Sequence, residues 1–136
     1  MAITVITEPG DGFRHSIDID GRHAFHTDLP EALGGAGSAP SPHDYFDAAL
    51  GACKALTLKL YAQRKNIPLT GVNVEVKRDA SEEPTGKYRL QVKLTLLGNL
   101  TEAQRHDLDV VADHCPVHKL MTSAVIDIET YLAEVQ

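Results

Sequence analysis

The chain has 136 residues, of which 43% are apolar and 24% charged, a composition typical of one globular domain. Its net charge of −6 and its lack of Lys/Arg runs argue against nucleic acid or anionic membranes as partners, because both attract clustered cations. Neither a signal peptide nor an apolar run of about 18 residues is visible, so no membrane span is expected. We therefore expect a cytoplasmic protein with a single domain over residues 1–136.

Three short β-strands are predicted in the first thirty residues. Alternating apolar and polar residues place them near residues 2–7, 13–19 and 22–27. Asp20-Gly21 separates the second from the third, and an Asp-Gly pair between two such runs is typical of a β-hairpin. The following stretch, "GGAGSAPSP", is predicted to be a loop that faces a substrate or an interface.

A long helix is predicted to begin at Ser41-Pro42. Serine is a favoured N-cap and proline is favoured at the first helical position. Arg64 and Lys65 suit the C-terminal end, and Pro68 lies just beyond it. The predicted helix has roughly 24 residues and spans roughly 36 Å. Because it is apolar on most sides, we expect a partner subunit to cover part of it.

The second half of the chain predicts a hairpin, a helix and a final strand. The segments "GVNVEVKRD" and "GKYRLQVKLTLLG" alternate with a period of two residues. Thr101 and Gln104 form a capping-box pattern ahead of an apolar stripe that ends at Cys115. The segment "AVIDIETYLAEV" alternates again. This order of elements indicates an α+β fold with antiparallel sheets.

Cys53 and Cys115 are the two cysteines, and a reducing compartment disfavours a static disulfide between them. Cys53 lies in mid-helix, so a cation from another segment is needed to favour its thiolate. If Pro116 starts a short helix, Cys115 is the N-cap, and backbone N–H groups point at its sulfur. The candidate cations for Cys53 are Arg14, Arg22, His15, His23, His26 and His43.

Two such thiols suit peroxide reduction, in which a sulfenic acid forms and then condenses to a disulfide. An external dithiol restores the pair. Other interpretations are two inert buried thiols, a zinc site that includes His114, Cys115 and His118, and acyl transfer by a Cys115–His118 pair. The spacing of the zinc candidates matches no familiar ligand pair, and no oxyanion-hole motif is visible.

Two segments resemble the OsmC/Ohr family. "SPHDYFDAALGACKALTLKLYAQRKNI" resembles its central helix, and "ADHCPVHKLM" resembles its second cysteine motif. The resemblance implies an intertwined homodimer with antiparallel sheets wrapped around long central helices. It further implies that Cys53 attacks an organic hydroperoxide, that Cys115 resolves the product, and that no metal, haem or flavin takes part. The expected setting is a bacterial cytoplasm under oxidative or osmotic stress.

Two positions depart from the family pattern. Where the family has a glutamate, ten residues before the first cysteine, this chain has His43. The hydroperoxide-resistance branch of the family also uses an N-terminal arginine to stabilise the thiolate, for which Arg14 is the first candidate here and Arg22 the second. His43 and Cys53 are about 15 Å apart on a straight helix, so His43 can serve the site only across a dimer interface or through a bend. The rival hypothesis is a binding protein of the same fold for a small hydrophobic ligand.

Overall fold

The structure is a computed structural model that describes residues 1–133. Within these residues the fold contains five β-strands, three α-helices and two short 3-10 helices. The elements are β1 (Ile3–Thr7), β2 (His15–Ile19), β3 (His23–Thr27), a 3-10 helix (Glu31–Leu33), α1 (Pro42–Arg64), β4 (Leu69–Asp79), a 3-10 helix (Glu83–Thr85), β5 (Arg89–Gly98), α2 (Glu102–Ala112) and α3 (Pro116–Thr122). One sheet has the order β1-β2-β3 and the other pairs β4 with β5, both antiparallel. The predicted α+β class is confirmed.

The described chain divides into two compact units, Met1–Ala49 and the residues from Leu50 onward. Helix α1 begins in the first unit and continues into the second. The single domain over residues 1–136 stays a prediction.

The first unit contains the three predicted strands. The turn between β2 and β3 is built on Asp20 and Gly21, which both have a positive φ (55° and 67°), as a tight hairpin requires. At the start of α1, Ser41 and Asp44 cap each other's backbone. The Asp44 N–H donates to Ser41 Oγ at 3.2 Å, and the Ser41 N–H donates to Asp44 Oδ2 at 2.9 Å. The predicted N-cap is therefore confirmed.

The second unit has its core between α1, α2 and the β4–β5 hairpin. Leu58 and Leu108 are fully buried at its centre, and burial of apolar surface is the main force that stabilises such a core. The remaining buried members of this cluster are Ala62, Leu69 and Ala112. A side chain at Gly51 would approach Val76 to 3.1 Å, so glycine allows α1 to lie close to β4.

Local signals in the sequence set the ends of two helices in this unit. Helix α1 ends where Asn66 takes a left-handed conformation (φ 55°) and the Ile67 N–H donates to the Ala62 carbonyl at 2.9 Å. Helix α2 begins at the predicted capping box. There the Gln104 N–H donates to Thr101 Oγ1 at 3.1 Å, and the Thr101 N–H donates to Gln104 Oε1 at 2.9 Å.

The prediction of a final strand is wrong for the described part of the segment. Residues 124–133 form no strand, and residues 134 and 135 of the predicted strand lie outside the described residues. A strand needs a neighbouring strand for its backbone hydrogen bonds, and none pairs with this segment in the described chain. Its apolar side chains are left exposed, with Val125 and Leu132 each at 98%.

None of the helices described here has the length and apolar character needed to cross a membrane.

Candidate active site

Cys53 lies on α1 with its sulfur next to the start of α3. The Val117 backbone N–H donates to Cys53 Sγ at 3.5 Å. The Thr57 hydroxyl, one helical turn further along α1, lies 3.9 Å from the same sulfur. The first turn of α3 therefore places a backbone N–H against the Cys53 sulfur.

Cys115 is the N-cap residue of α3, as predicted, and its side chain is completely buried. The accompanying prediction, that backbone N–H groups of α3 point at its sulfur, holds in part: Cys115 accepts no side-chain capping hydrogen bond of standard geometry, but the His118 backbone N–H acts on the sulfur and lowers its pKa. The Val117 N–H, which could have made that bond, is directed at Cys53 instead. The first turn of α3 therefore has backbone N–H groups beside both cysteines, that of Val117 at Cys53 and that of His118 at Cys115.

The two cysteines are neighbours, and both are free thiols. Burial raises the pKa of the Cys115 thiol above its ordinary value of 9.0, and the Cys53 side chain adds to the effect. The His118 backbone N–H and the Lys54 ammonium act in the opposite direction and lower the pKa. Cys115 is thus held mainly as a thiol, and nearby groups partly offset the cost of ionising it.

Lys54 is the functional candidate that the sequence predictions missed. Its side chain is only 3% exposed. Its ammonium donates to the Ala112 carbonyl at 2.7 Å and to His118 Nδ1 at 3.0 Å, and it lies 3.6 Å from Asp113 Oδ1. A signal was present, because Lys54 is the one charged residue between Asp47 and Lys59 in an otherwise apolar or small stretch. A buried charge of this kind requires partners.

The histidines near Cys115 have partners of their own. His114 Nδ1 lies 2.8 Å from the Val110 carbonyl, and His118 Nδ1 accepts from Lys54. A lysine ammonium can only donate, so the His118 ring must carry its proton on Nε2 in this contact. Within residues 1–133, no group of three or more His, Cys, Asp and Glu side chains is arranged to hold a metal ion.

Arg14 lies in the first unit, within a network of polar side chains. Its Nε is 2.7 Å from Glu8 Oε2, and its Nη1 donates to Ser38 Oγ at 2.9 Å. The Ser38 hydroxyl donates in turn to Asp28 Oδ2 at 2.6 Å. This hydrogen bond is the largest cause that holds the pKa of Asp28 below its ordinary value. Glu8, which directly follows β1, therefore supplies a carboxylate partner for Arg14.

The other two candidates also belong to the first unit. His43 is exposed in the first turn of α1, and Arg22 is exposed in the turn between β2 and β3. Helix α1 is continuous from Pro42 to Arg64. The roles of Arg14, Arg22 and His43 at the Cys53 thiolate stay predictions.

The comparisons with a family model and with solved structures agree on one protein family. The family model described as OsmC-like protein matches residues 35–130. An organic hydroperoxide resistance protein OsmC from Legionella pneumophila is 25% identical, with 88% of this chain and 90% of that chain covered and a TM-score of 0.61. An organic hydroperoxide resistance protein from Elizabethkingia anophelis is also 25% identical, with coverages of 90% and 91% and a TM-score of 0.61.

An OsmC-like protein from Mycoplasma pneumoniae has the same fold at 20% identity, with coverages of 90% and 86% and a TM-score of 0.71. No curated protein matches the chain.

Proposed function

Because the chain belongs to the OsmC-like protein family, we propose that it is a thiol-dependent peroxidase that reduces organic hydroperoxides through Cys53 and Cys115. The observation that carries this proposal is the meeting of the two cysteine segments, where the Val117 N–H from the start of α3 donates to Cys53 Sγ. The names of the similar proteins from Legionella pneumophila and Elizabethkingia anophelis support organic hydroperoxides as the substrate class.

The proposed cycle has three steps. The Cys53 thiolate attacks the peroxide oxygen, the O–O bond breaks, and an alkoxide leaves and takes a proton from water to become an alcohol. The Cys53 sulfenic acid then condenses with the Cys115 thiol, so that an S–S bond forms and water leaves. An external dithiol reduces the disulfide and restores both thiols. These three steps need no metal, haem or flavin.

Arg14 and His43 have proposed roles that follow from the family. Arg14 is proposed to support the Cys53 thiolate. Its contact with Glu8 provides a carboxylate partner in place of the family glutamate at position 43. We propose that His43 acts across a subunit interface, because it lies ten residues before Cys53 on one continuous helix.

The proposed assembly is a homodimer in the cytoplasm. Helix α1 exposes an apolar stripe at positions i, i+4 and i+8, formed by Ala52, Leu56 and Leu60, with Leu56 at 71% exposure. The apolar side chains of residues 124–133 are exposed as well. Exposed apolar surface of this extent is typical of interaction sites, and it supports a second copy as the partner.

Stopped-flow oxidation of the reduced protein by cumene hydroperoxide tests the proposed function. Wild type is expected to lose thiol faster than free cysteine by several orders of magnitude. Cys53→Ser is expected to abolish turnover, whereas Cys115→Ser is expected to accumulate a sulfenic acid at Cys53 that dimedone traps. A wild-type rate no faster than that of free cysteine would exclude the peroxidase.

A second candidate function is the binding of a small hydrophobic ligand. A pocket of about 400 Å³ lies beside the C-terminal end of α1, and this volume falls within the range of small-molecule sites. Its lining includes Leu60, Ile67 and Leu69. A hydrophobic fluorescent probe such as ANS discriminates the two functions. Saturable binding that Leu60→Asp abolishes, together with thiols that react no faster than free cysteine, would favour the binding protein.

A further inference from the structure

The ammonium of Lys54 connects the two cysteine-bearing segments. Lys54 directly follows Cys53 on α1, yet its acceptors Ala112 and His118 and its ion-pair partner Asp113 all lie in the segment that contains Cys115. Placing a charge in the interior is unfavourable unless hydrogen bonds and an opposite charge compensate it. The fold retains this cation at 3% exposure, which indicates a specific use for it.

The two residues that accept hydrogen bonds from Lys54 lie on either side of Cys115 in the sequence. Ala112 lies three residues before Cys115 and His118 lies three residues after it. The Ala112 carbonyl belongs to the last residue of α2, where the negative end of the helix dipole favours a cation. His118 lies in the first turn of α3. One ammonium therefore fixes the end of one helix and the start of the next, with Cys115 between them.

We propose that Lys54 is the positioning residue for the step in which Cys115 closes the disulfide with Cys53. The assignment rests on the proposed peroxidase function. Lys54 holds the segment 112–118 against α1. It also supplies positive charge to the Cys115 sulfur as that sulfur loses its proton. In this step the Cys115 proton and the hydroxyl of the Cys53 sulfenic acid leave together as water, an S–S bond forms, and Lys54 remains protonated throughout.

The charges around Cys115 agree with this role. Cys53 and Lys54 face it from α1, and Asp113 and His118 lie on its own segment. Lys54 lowers the pKa of the Cys115 thiol, whereas burial and Cys53 raise it. The lysine is the cation among these groups, because His118 accepts from it and is neutral in that contact.

Thiolate absorbance at 240 nm tests the charge effect without any peroxide. In a Cys53→Ser background Cys115 is the sole cysteine, so its titration is read directly. Adding Lys54→Met is expected to raise the midpoint so that Cys115 holds about tenfold less thiolate at a given pH below it. Lys59→Met on the exposed part of the same helix is the matched control and is expected to leave the midpoint in place. An unchanged midpoint in Lys54→Met would overturn the proposal.

Rapid-quench alkylation with mass spectrometry tests the positioning effect in the protein with both cysteines. Lys54→Met is expected to leave Cys53 oxidation within about threefold of wild type and to slow disulfide closure by about tenfold, in line with the smaller thiolate fraction. If Lys54→Met fails to fold, Lys54→Arg is expected to keep the Cys115 midpoint because it keeps the charge. His118→Leu is then expected to slow closure, because the ammonium loses an acceptor. Closure at the wild-type rate in His118→Leu would overturn the positioning role.

The two readouts separate this proposal from the proposed function. A wild type that fails to reduce cumene hydroperoxide, yet shows the midpoint shift in Lys54→Met, would contradict the peroxidase and support the electrostatic role of Lys54. A wild type that turns over normally, with neither the midpoint nor closure changed by Lys54→Met, would contradict the role of Lys54 alone.

Discussion

Cys115 is a residue whose burial is favourable only while it keeps its proton. Its side chain is fully buried and its pKa is raised above 9.0, chiefly by that burial. The native protein therefore retains the proton at pH values where the unfolded chain has lost it. The stabilising contribution is complete below the ordinary thiol pKa and is lost as pH rises through the raised value.

The expected consequence is a stability that falls at alkaline pH because of this one residue. Between pH 8 and pH 10.5, the free energy of unfolding of wild type is expected to fall more steeply than that of Cys115→Ala. The difference in slope is at most about 1.4 kcal/mol per pH unit, the limit for one proton. Urea denaturation at several pH values measures it. Parallel curves for the two proteins would show that the Cys115 proton is not linked to folding.

Sequence reasoning singled out the two cysteines, whose roles stay predictions, and missed the side chains that lie beside them. Both cysteines were identifiable because cysteine carries chemistry in itself. Lys54 and Thr57 were not, because their importance comes from segments more than fifty residues away or from a single contact on the helix face. The one local sign of Lys54 was that it is the only charged residue between Asp47 and Lys59.

At the scale of elements, the two faces of α1 differ in what they do. Leu58 is fully buried in the core of the second unit, whereas Leu56, two residues earlier, is 71% exposed. A leucine truncated in a packed core loses its burial and leaves a cavity, but an exposed side chain outside the apolar stripe, such as that of Lys59, loses little. The same helix thus offers a test and its control.

Leu58→Ala is expected to lower the free energy of unfolding by about 2–5 kcal/mol, and Lys59→Ala, at the exposed neighbouring position, by less than about 1 kcal/mol. Urea denaturation monitored by circular dichroism measures both. Equal losses for the two variants would contradict the packing of α1 described here.

The elements were largely predictable because their signals are local. The caps at Ser41 and Thr101 and the Asp20-Gly21 turn each act over three or four residues, and all appear where the sequence predicts them. The predicted strand near residues 124–135 depended instead on a neighbour that the sequence pattern could not specify. An alternating pattern gives the period of a strand but not its partner.

At the scale of the whole molecule, the exposed apolar surfaces predict self-association. The apolar stripe on α1 and the apolar side chains of residues 124–133 are both exposed to solvent in the single chain. If a second copy covers them, sedimentation equilibrium is expected to give twice the chain mass of 14.8 kDa. Leu56→Asp is expected to weaken the dimer by at least about tenfold, since a carboxylate at an apolar interface is left unpaired. Lys59→Asp, which adds a carboxylate at an exposed charged position, is the control.

A monomer at micromolar concentration would contradict the homodimer. It would also remove the interface through which His43 is proposed to act, because ten residues of continuous helix separate His43 from Cys53.

The most direct measurement of the central claim is the intact mass of the reduced wild-type protein after one equivalent of cumene hydroperoxide, followed by peptide mapping. The predicted result is the loss of two hydrogen atoms and a single cross-linked peptide pair that joins Cys53 to Cys115. An unchanged mass, or oxygen atoms added to Cys53 with Cys115 still a free thiol, would contradict it.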